Sequence, residues 1–220
     1  MTATPPTPPS APAARSSARI RVFIDYWNLQ ITLNSKESVL TGVDDVRFRI
    51  NWRDFPALVA SKAAAVTGTI DYSYEGALIY ASYSPVGDAS FRNWLNTWLD
   101  RQPGIQVIAL ERQAKSLPRC RKCNHVLLDC PNCHAGMSGT VEKGVDTALA
   151  TDMIRLAWED AYDIGVVVSS DSDLVPAAQF LDAKGIKIVQ AGFPPSGVHL
   201  GTACWASFDL LGLRNEFRRP

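Results

Sequence analysis

Five short apolar runs constrain the fold of this chain more than any other feature. They are Ile20–Asp25 (IRVFID), Ala77–Tyr83 (ALIYASY), Ile105–Leu110 (IQVIAL), Ile164–Ser169 (IGVVVS) and Ile186–Gln190 (IKIVQ). Each is continuous or nearly so, the pattern of a strand covered on both faces. Helical spacing fills the gaps between them. It covers Trp52–Val66 (Trp52, Phe55, Leu58 and Val59 on one face), Phe91–Asp100 (Phe91, Trp94, Leu95, Trp98), Val145–Glu159 and Leu174–Ala183. Strands alternating with helices predict an α/β fold on a parallel, doubly wound sheet of about five strands. Sheets of this kind place ligands outside the carboxyl ends of their strands.

Two segments break the rhythm. Residues 1–18 (MTATPPTPPSAPAARSSA) hold almost no large apolar side chain and predict a disordered tail. A cysteine-rich insert spans 118–139. The remainder, 19–220, suits one domain, since 220 residues would crowd two. With 22 basic and 22 acidic residues the formal net charge is zero, so nucleic-acid binding has to come from local patches. There is no signal-peptide core and no apolar run of about 18 residues, so neither secretion nor a membrane span is expected. Five cysteines, four of them clustered, argue against a secreted disulfide framework and favour a reducing cytoplasm.

Acids gather where the sheet would bind a ligand. Asp25 ends the first run, with Asn28 just beyond. Asp171 and Asp173 follow the fourth run in VVVSSDSDL. Asp146 lies in the first turn of the helix that opens after Gly144, and Asp152 falls inside that helix's apolar stripe with Val145, Leu149 and Leu156. Singly, each has an ordinary role. Asp25, Ser172 or Asp173 can cap a helix, Asp146 suits a helix dipole, and Asp152 can be neutral and hydrogen-bonded. Jointly they repel one another at one sheet edge unless a cation neutralises them. Hard oxygen ligands without convergent His or Cys suit Mg²⁺ or Mn²⁺.

Three stretches, FIDYWNL, KGVDTALATDM and VVVSSDSDLVPAAQFLDAKGIKIV, resemble the LabA-like (DUF88) members of the NYN branch of PIN-like nucleases. The resemblance runs from about Arg19 to Leu213 and skips the cysteine insert. It implies a three-layer α/β/α fold and metal-dependent RNA cleavage leaving 5′-phosphate and 3′-hydroxyl ends. It matches Asp25, Asp146, Asp171 and Asp173 to the family's metal-site acids, Asn28 to a companion polar residue, and Asp152 to a secondary acid. Where the family often has Gly after the first Asp, this chain has Tyr26-Trp27, two rings expected to narrow the cleft or stack a base. The stretch HLGTACWASFDLL, with His199 and Asp209, matches the family's closing helix only loosely.

The insert reads PRCRKCNHVLLDCPNCH. Cys120-x-x-Cys123 and Cys130-x-x-Cys133 have the spacing of a closed, structural Zn²⁺ site of four thiolates, with two disulfides as the other reading. Arg112, Lys115, Arg119, Arg121 and Lys122 make the approach basic against Glu111 alone, and Lys143 lies beside the metal-site stretch. These are candidate contacts to a single-stranded RNA backbone. The other reading of the insert is a solvated or partner-binding protrusion. A homodimer or protein regulator, a non-cleaving RNA-binding module and a structure-selective DNA nuclease also stay open at this level.

Overall fold

The computed structural model describes residues 17–220. The tail expected over 1–18 lies outside the described residues except for its last two positions, and Ala18 already belongs to a strand. Six strands form one sheet: β1 (Ala18–Asp25), β2 (Tyr72–Tyr83), β3 (Ile105–Glu111), β6 (Ile164–Val168), β7 (Lys187–Gly192) and β8 (Ala206–Asp209). Their order is β3-β2-β1-β6-β7-β8 and each neighbouring pair runs parallel. Helices α1 (Tyr26–Thr41), α2 (Phe55–Val66), α3 (Ala89–Trp94), α4 (Val145–Trp158), α5 (Val175–Asp182) and α6 (Val198–Ala203) complete a three-layer α/β/α arrangement.

The unbroken apolar runs now have a cause. Val22 and Ile24 face one core, with Leu29 and Leu33 of α1 and Phe55 and Val59 of α2. Phe23, between them, faces the other, with Leu149 and Met153 of α4 and Leu181 of α5. Successive side chains of β1 therefore enter opposite layers, and from Val22 to Asp25 all are buried.

The structure corrects the sequence reading in several places. All five runs are strands of the sheet and a sixth joins them: β8 is a short edge strand, half exposed, with little apolar signal. Helix α1 was not expected. Its buried face carries Gln30 and Glu37, while Ile31, Val39 and Leu40 point outward, so no amphipathic period survives. Gln30 is satisfied by donating to the Phe48 carbonyl and to Asn34 Oδ1, while Glu37 Oε1 pairs with Arg218 at 2.6 Å and Oε2 lies 3.7 Å from Arg214. Helix α2 begins at Phe55, with Pro56 in its first turn, and leaves Trp52 in the preceding segment. The helix expected over Phe91–Asp100 is α3 followed by a π-helical turn, Leu95–Leu99.

The insert leaves the sheet through a two-stranded antiparallel base, β4 (Gln113–Ala114) with β5 (Thr140–Val141). Beyond it the chain builds one hairpin twice, ten residues apart. Cys120 N donates to the His125 carbonyl and Asn124 N to the Cys120 carbonyl; Cys130 N donates to the Ala135 carbonyl and His134 N to the Cys130 carbonyl. The bridge Arg119–Val126 recurs as Asp129–Gly136, and Asn124 and His134 both take left-handed backbone, at φ 59° and 58°.

Candidate metal centre at the carboxyl edge of the sheet

Strands β1 and β6 are neighbours, so their carboxyl ends share one rim. Asp25 closes β1, and Ser169 to Asp173 follow β6. From the far side of β2 and β3 the chain returns through β5 to Gly144, whose left-handed φ of 85° turns it into α4 and sets Asp146 in the first turn. One carboxylate oxygen from each of Asp146, Asp171 and Asp173 lies within 4.8 Å of the others. That is close to the span of about 4.2 Å between opposite oxygens of an octahedron with ligands at about 2.1 Å. Among the described residues no Lys or Arg pairs with these three or with Asp25. Burial and the charges of Asp171, Glu142 and Asp173 hold the Asp146 carboxyl above its ordinary range. An acid set with no protein cation fits a hard divalent ion.

Asp25 stands beside this trio rather than within it. Its Oδ1 caps α1 by accepting from Asn28 N at 3.1 Å, and its Oδ2 accepts from Ser169 Oγ at 3.4 Å. It is only 5% exposed. Burial pushes its pKa up to about 6; the Asn28 hydrogen bond opposes this, and the charges of Asp146 and Glu142 add to it. Asn28 does positioning work, its Oδ1 accepting from Ser170 N at 2.9 Å and tying the loop after β6 to α1. Ser169 Oγ also accepts from Asp171 N, and Asp171 Oδ1 from Asp173 N, which fixes the acidic turn.

The NYN domain profile matches residues 19–204. The chain belongs to the NYN domain family. NYN domains are a branch of the PIN-like nucleases, and a nuclease-type role follows for this one. A protein of unknown function from Vibrio parahaemolyticus, known from its crystal structure, shares the fold at a TM-score of 0.55 and 16% identity, over 90% of this chain and 95% of that one. No curated protein matches the chain.

In this NYN domain the remaining candidates fall in different places. Asp152 is engaged elsewhere: Tyr80 Oη donates to its Oδ2 at 2.9 Å, and Arg155 donates to its Oδ1. Those bonds offset the cost of an acid inside an apolar stripe. Tyr26 is 2% exposed, its ring stacked on Trp52 and packed against Phe91 and Trp94, so it offers no face to a base. Trp27 is half-buried, its Nε1 donating to the Ser82 carbonyl, with the Arg112 guanidinium 5.3 Å from its ring centre. Arg112 is itself anchored, donating to Ser82 Oγ at 2.9 Å and lying 3.7 Å from Glu142. Glu142, which also accepts from Ser82 Oγ, was missed in the sequence. Only its place in VEKGVD, four residues before Asp146, could have pointed to it.

Lys115, Arg119, Arg121, Lys122 and Lys143 are exposed, on or beside the arm. The arm's cysteines come together as two pairs. Backbone N–H groups of Cys123 and Lys122 and the Cys123 thiol hold Cys120 below the usual thiol range; Cys133 and Asn132 do the same for Cys130. Among the described residues no three thiols gather within 4.8 Å. Cys204 is half-buried, and burial pushes its thiol up to about 12. Among the described residues no helix is long and apolar enough to cross a membrane.

Proposed function

We propose that this NYN domain, of the LabA-like type, is a Mg²⁺- or Mn²⁺-dependent ribonuclease that hydrolyses phosphodiester bonds in single-stranded RNA. The observation that carries the reading is the trio Asp146, Asp171 and Asp173, convergent at the carboxyl edge and without a protein counter-charge. These three would hold the ion. Once bound, it lowers the pKa of a coordinated water and offsets charge on the phosphate and the leaving oxygen. Asp25, above pH 6, adds a fourth negative charge behind Asp146 and strengthens the site's preference for a divalent cation. Asn28 and Ser169 keep the Asp171 turn in register with β1. Lys143, exposed just before the α4 turn, would meet a phosphate beside the acids.

Labelled single-stranded RNA and DNA, each incubated with Mn²⁺ or with EDTA, test the proposal. RNA cut with Mn²⁺ and intact with EDTA is the expected result, with 5′-phosphate ends on the products. Cleavage of DNA alone would make the chain a DNA nuclease, and cleavage of neither would make it a binding module.

We further propose that the paired hairpins close on one structural Zn²⁺. Each offers two thiols, one held below the usual thiol range by backbone N–H donors, in a repeated turn. Elemental analysis should find one zinc per chain, with Zn–S distances of about 2.3 Å by X-ray absorption. Stripping it should speed proteolysis within 115–139 and leave the sheet's melting temperature nearly unchanged, because the arm contributes no residue to either core. Protein with no zinc and two disulfides by mass spectrometry would overturn this.

A further inference from the structure

The connection between α1 and α2 includes DDVRFRINWRD. Its alternation sends Phe48, Ile50 and Trp52 inward, at 2 to 4% exposure, and leaves Arg47, Arg49 and Arg53 outward. The end of the chain lies along it. Ile50 bridges Arg218, Asn51 N donates to the Phe217 carbonyl and Arg219 N to the Arg49 carbonyl. This pairing sets the exposed Arg219 beside Arg49. Among the described residues, none of Arg47, Arg49, Arg53 or Arg219 forms an ion pair with a carboxylate, whereas Arg218 is neutralised by Glu37. Like charges have been drawn together with no ion pair to a carboxylate among the described residues.

The opposite wall is aromatic. From the rim downward, Trp27, Phe91, Trp94 and Trp98 form a column of half-buried rings with centres 5.1, 5.9 and 5.7 Å apart; the last two steps are nearly parallel, at 21° and 17°. Between the walls lies a cavity of about 250 Å³ lined by Arg47, Arg49, Arg219, Trp52, Trp94 and Trp98, with no carboxylate in its wall. It adjoins a cavity of about 780 Å³ beside Trp27 and another of about 490 Å³ beside Arg53. The upper one does carry acids, Asp44, Asp45 and Asp88, and the lower one Asp54, which accepts from Asn51. The column starts at the metal centre's rim, since Trp27 bonds the Ser82 carbonyl and Ser82 Oγ bonds Glu142.

We propose that this arginine–tryptophan groove carries the single-stranded RNA that the metal centre cuts, on one side of the scissile bond. The proposal rests on the nuclease reading above and supplies what that reading lacks, a means of holding a polyanion against an acidic rim. Arginines without a carboxylate partner suit phosphates and half-exposed rings suit unpaired bases; a duplex keeps its bases stacked inside and cannot use the rings.

The test uses the full chain and a labelled 20-nucleotide oligouridine, with binding read by anisotropy across a salt series and no catalytic metal added. Arg49→Gln with Arg219→Gln should raise Kd about tenfold and lower the salt slope by roughly 1.4, about 0.7 for each phosphate no longer neutralised. With Mn²⁺, KM should rise similarly while kcat holds, since neither side chain touches the acids. Photo-crosslinking of 5-iodouridine RNA to unmodified protein should label the tryptic peptide 93–101, which carries Trp94 and Trp98. Wild-type Kd and slope in the double variant, with crosslinks on the arm at 115–139, would overturn the groove while cleavage by the wild type leaves the nuclease reading standing. Crosslinks at 93–101 in a protein that cleaves nothing with Mn²⁺ would do the reverse. A protein that binds no RNA at low salt overturns both.

Discussion

Asp171→Asn is expected to abolish cleavage while the protein keeps its fold. The two properties separate because the side chain has two jobs. Its Oδ1 accepts from Asp173 N and holds the turn after β6, and an asparagine oxygen accepts the same bond. Its charge, shared with Asp146 and Asp173, is what a divalent ion would bind, and asparagine removes it. Removing one electrostatic partner of this kind costs roughly 10³-fold in kcat. Metal binding gives a second readout, because an ion bound only by the folded state raises stability by about 2.7 kcal/mol at one hundred times its Kd. For a domain of this size that is about 5–10 °C in Tm. Wild-type protein should show that rise on adding Mn²⁺, and Asp171→Asn should show little of it. Undiminished cleavage by a folded variant, or an unchanged Mn²⁺ shift, would remove Asp171 from the site. Asp152→Asn makes the contrast. Its carboxylate is already engaged by Tyr80 and Arg155, so cleavage should change little.

How much of this was legible in the sequence depends on how local the cause is. Four of the five strand runs could be read because they are largely buried on both faces, and the fifth, half-buried β3 at the other edge, still carries an almost continuous apolar run. Strand β8 carries none, since an edge strand with alternate residues exposed resembles a loop. Helix α1 was hidden by Gln30 and Glu37, whose partners Phe48 and Arg218 sit elsewhere in the chain. Asp146, Asp171 and Asp173 were legible because parallel topology alone brings strand ends and helix starts to one rim. Glu142 was not, because its role comes from β2 and β3 meeting the base of the arm through Ser82 and Arg112. The sequence placed Tyr26 and Trp27 equally at the cleft; only packing separates a ring sealed in the core from one at the rim. The arginine groove was beyond reach for the same reason, since Arg49 and Arg219 lie far apart along the chain.

Asp25→Asn is expected to make the metal-free protein more stable while impairing cleavage. In the folded state burial holds the Asp25 carboxyl at about 6, against an ordinary 3.8. Between those values the folded protein keeps a proton that the unfolded chain has lost, so stability falls as pH rises from about 4 to about 6. Above pH 6 the full cost is present, about 3 kcal/mol at about 1.4 kcal/mol per tenfold change. Asparagine is isosteric, accepts the cap hydrogen bond from Asn28 N, and carries no charge to desolvate. Melting in EDTA at pH 7.5 should therefore show the variant about 6–12 °C above wild type, and the gap should close near pH 4. Mn²⁺ should narrow it from the other side, because a cation on Asp146 relieves the repulsion that Asp25 feels from it. Cleavage by wild type should fall as pH drops through about 6, where Asp25 takes up its proton and the site loses a negative charge. A variant no more stable than wild type at pH 7.5, or a gap that ignores pH, would mean that Asp25 is not the strained acid of this edge. The sign of the effect is the informative part: a carboxylate kept only for its fold would lose stability when neutralised, whereas one held buried beside other acids gains it.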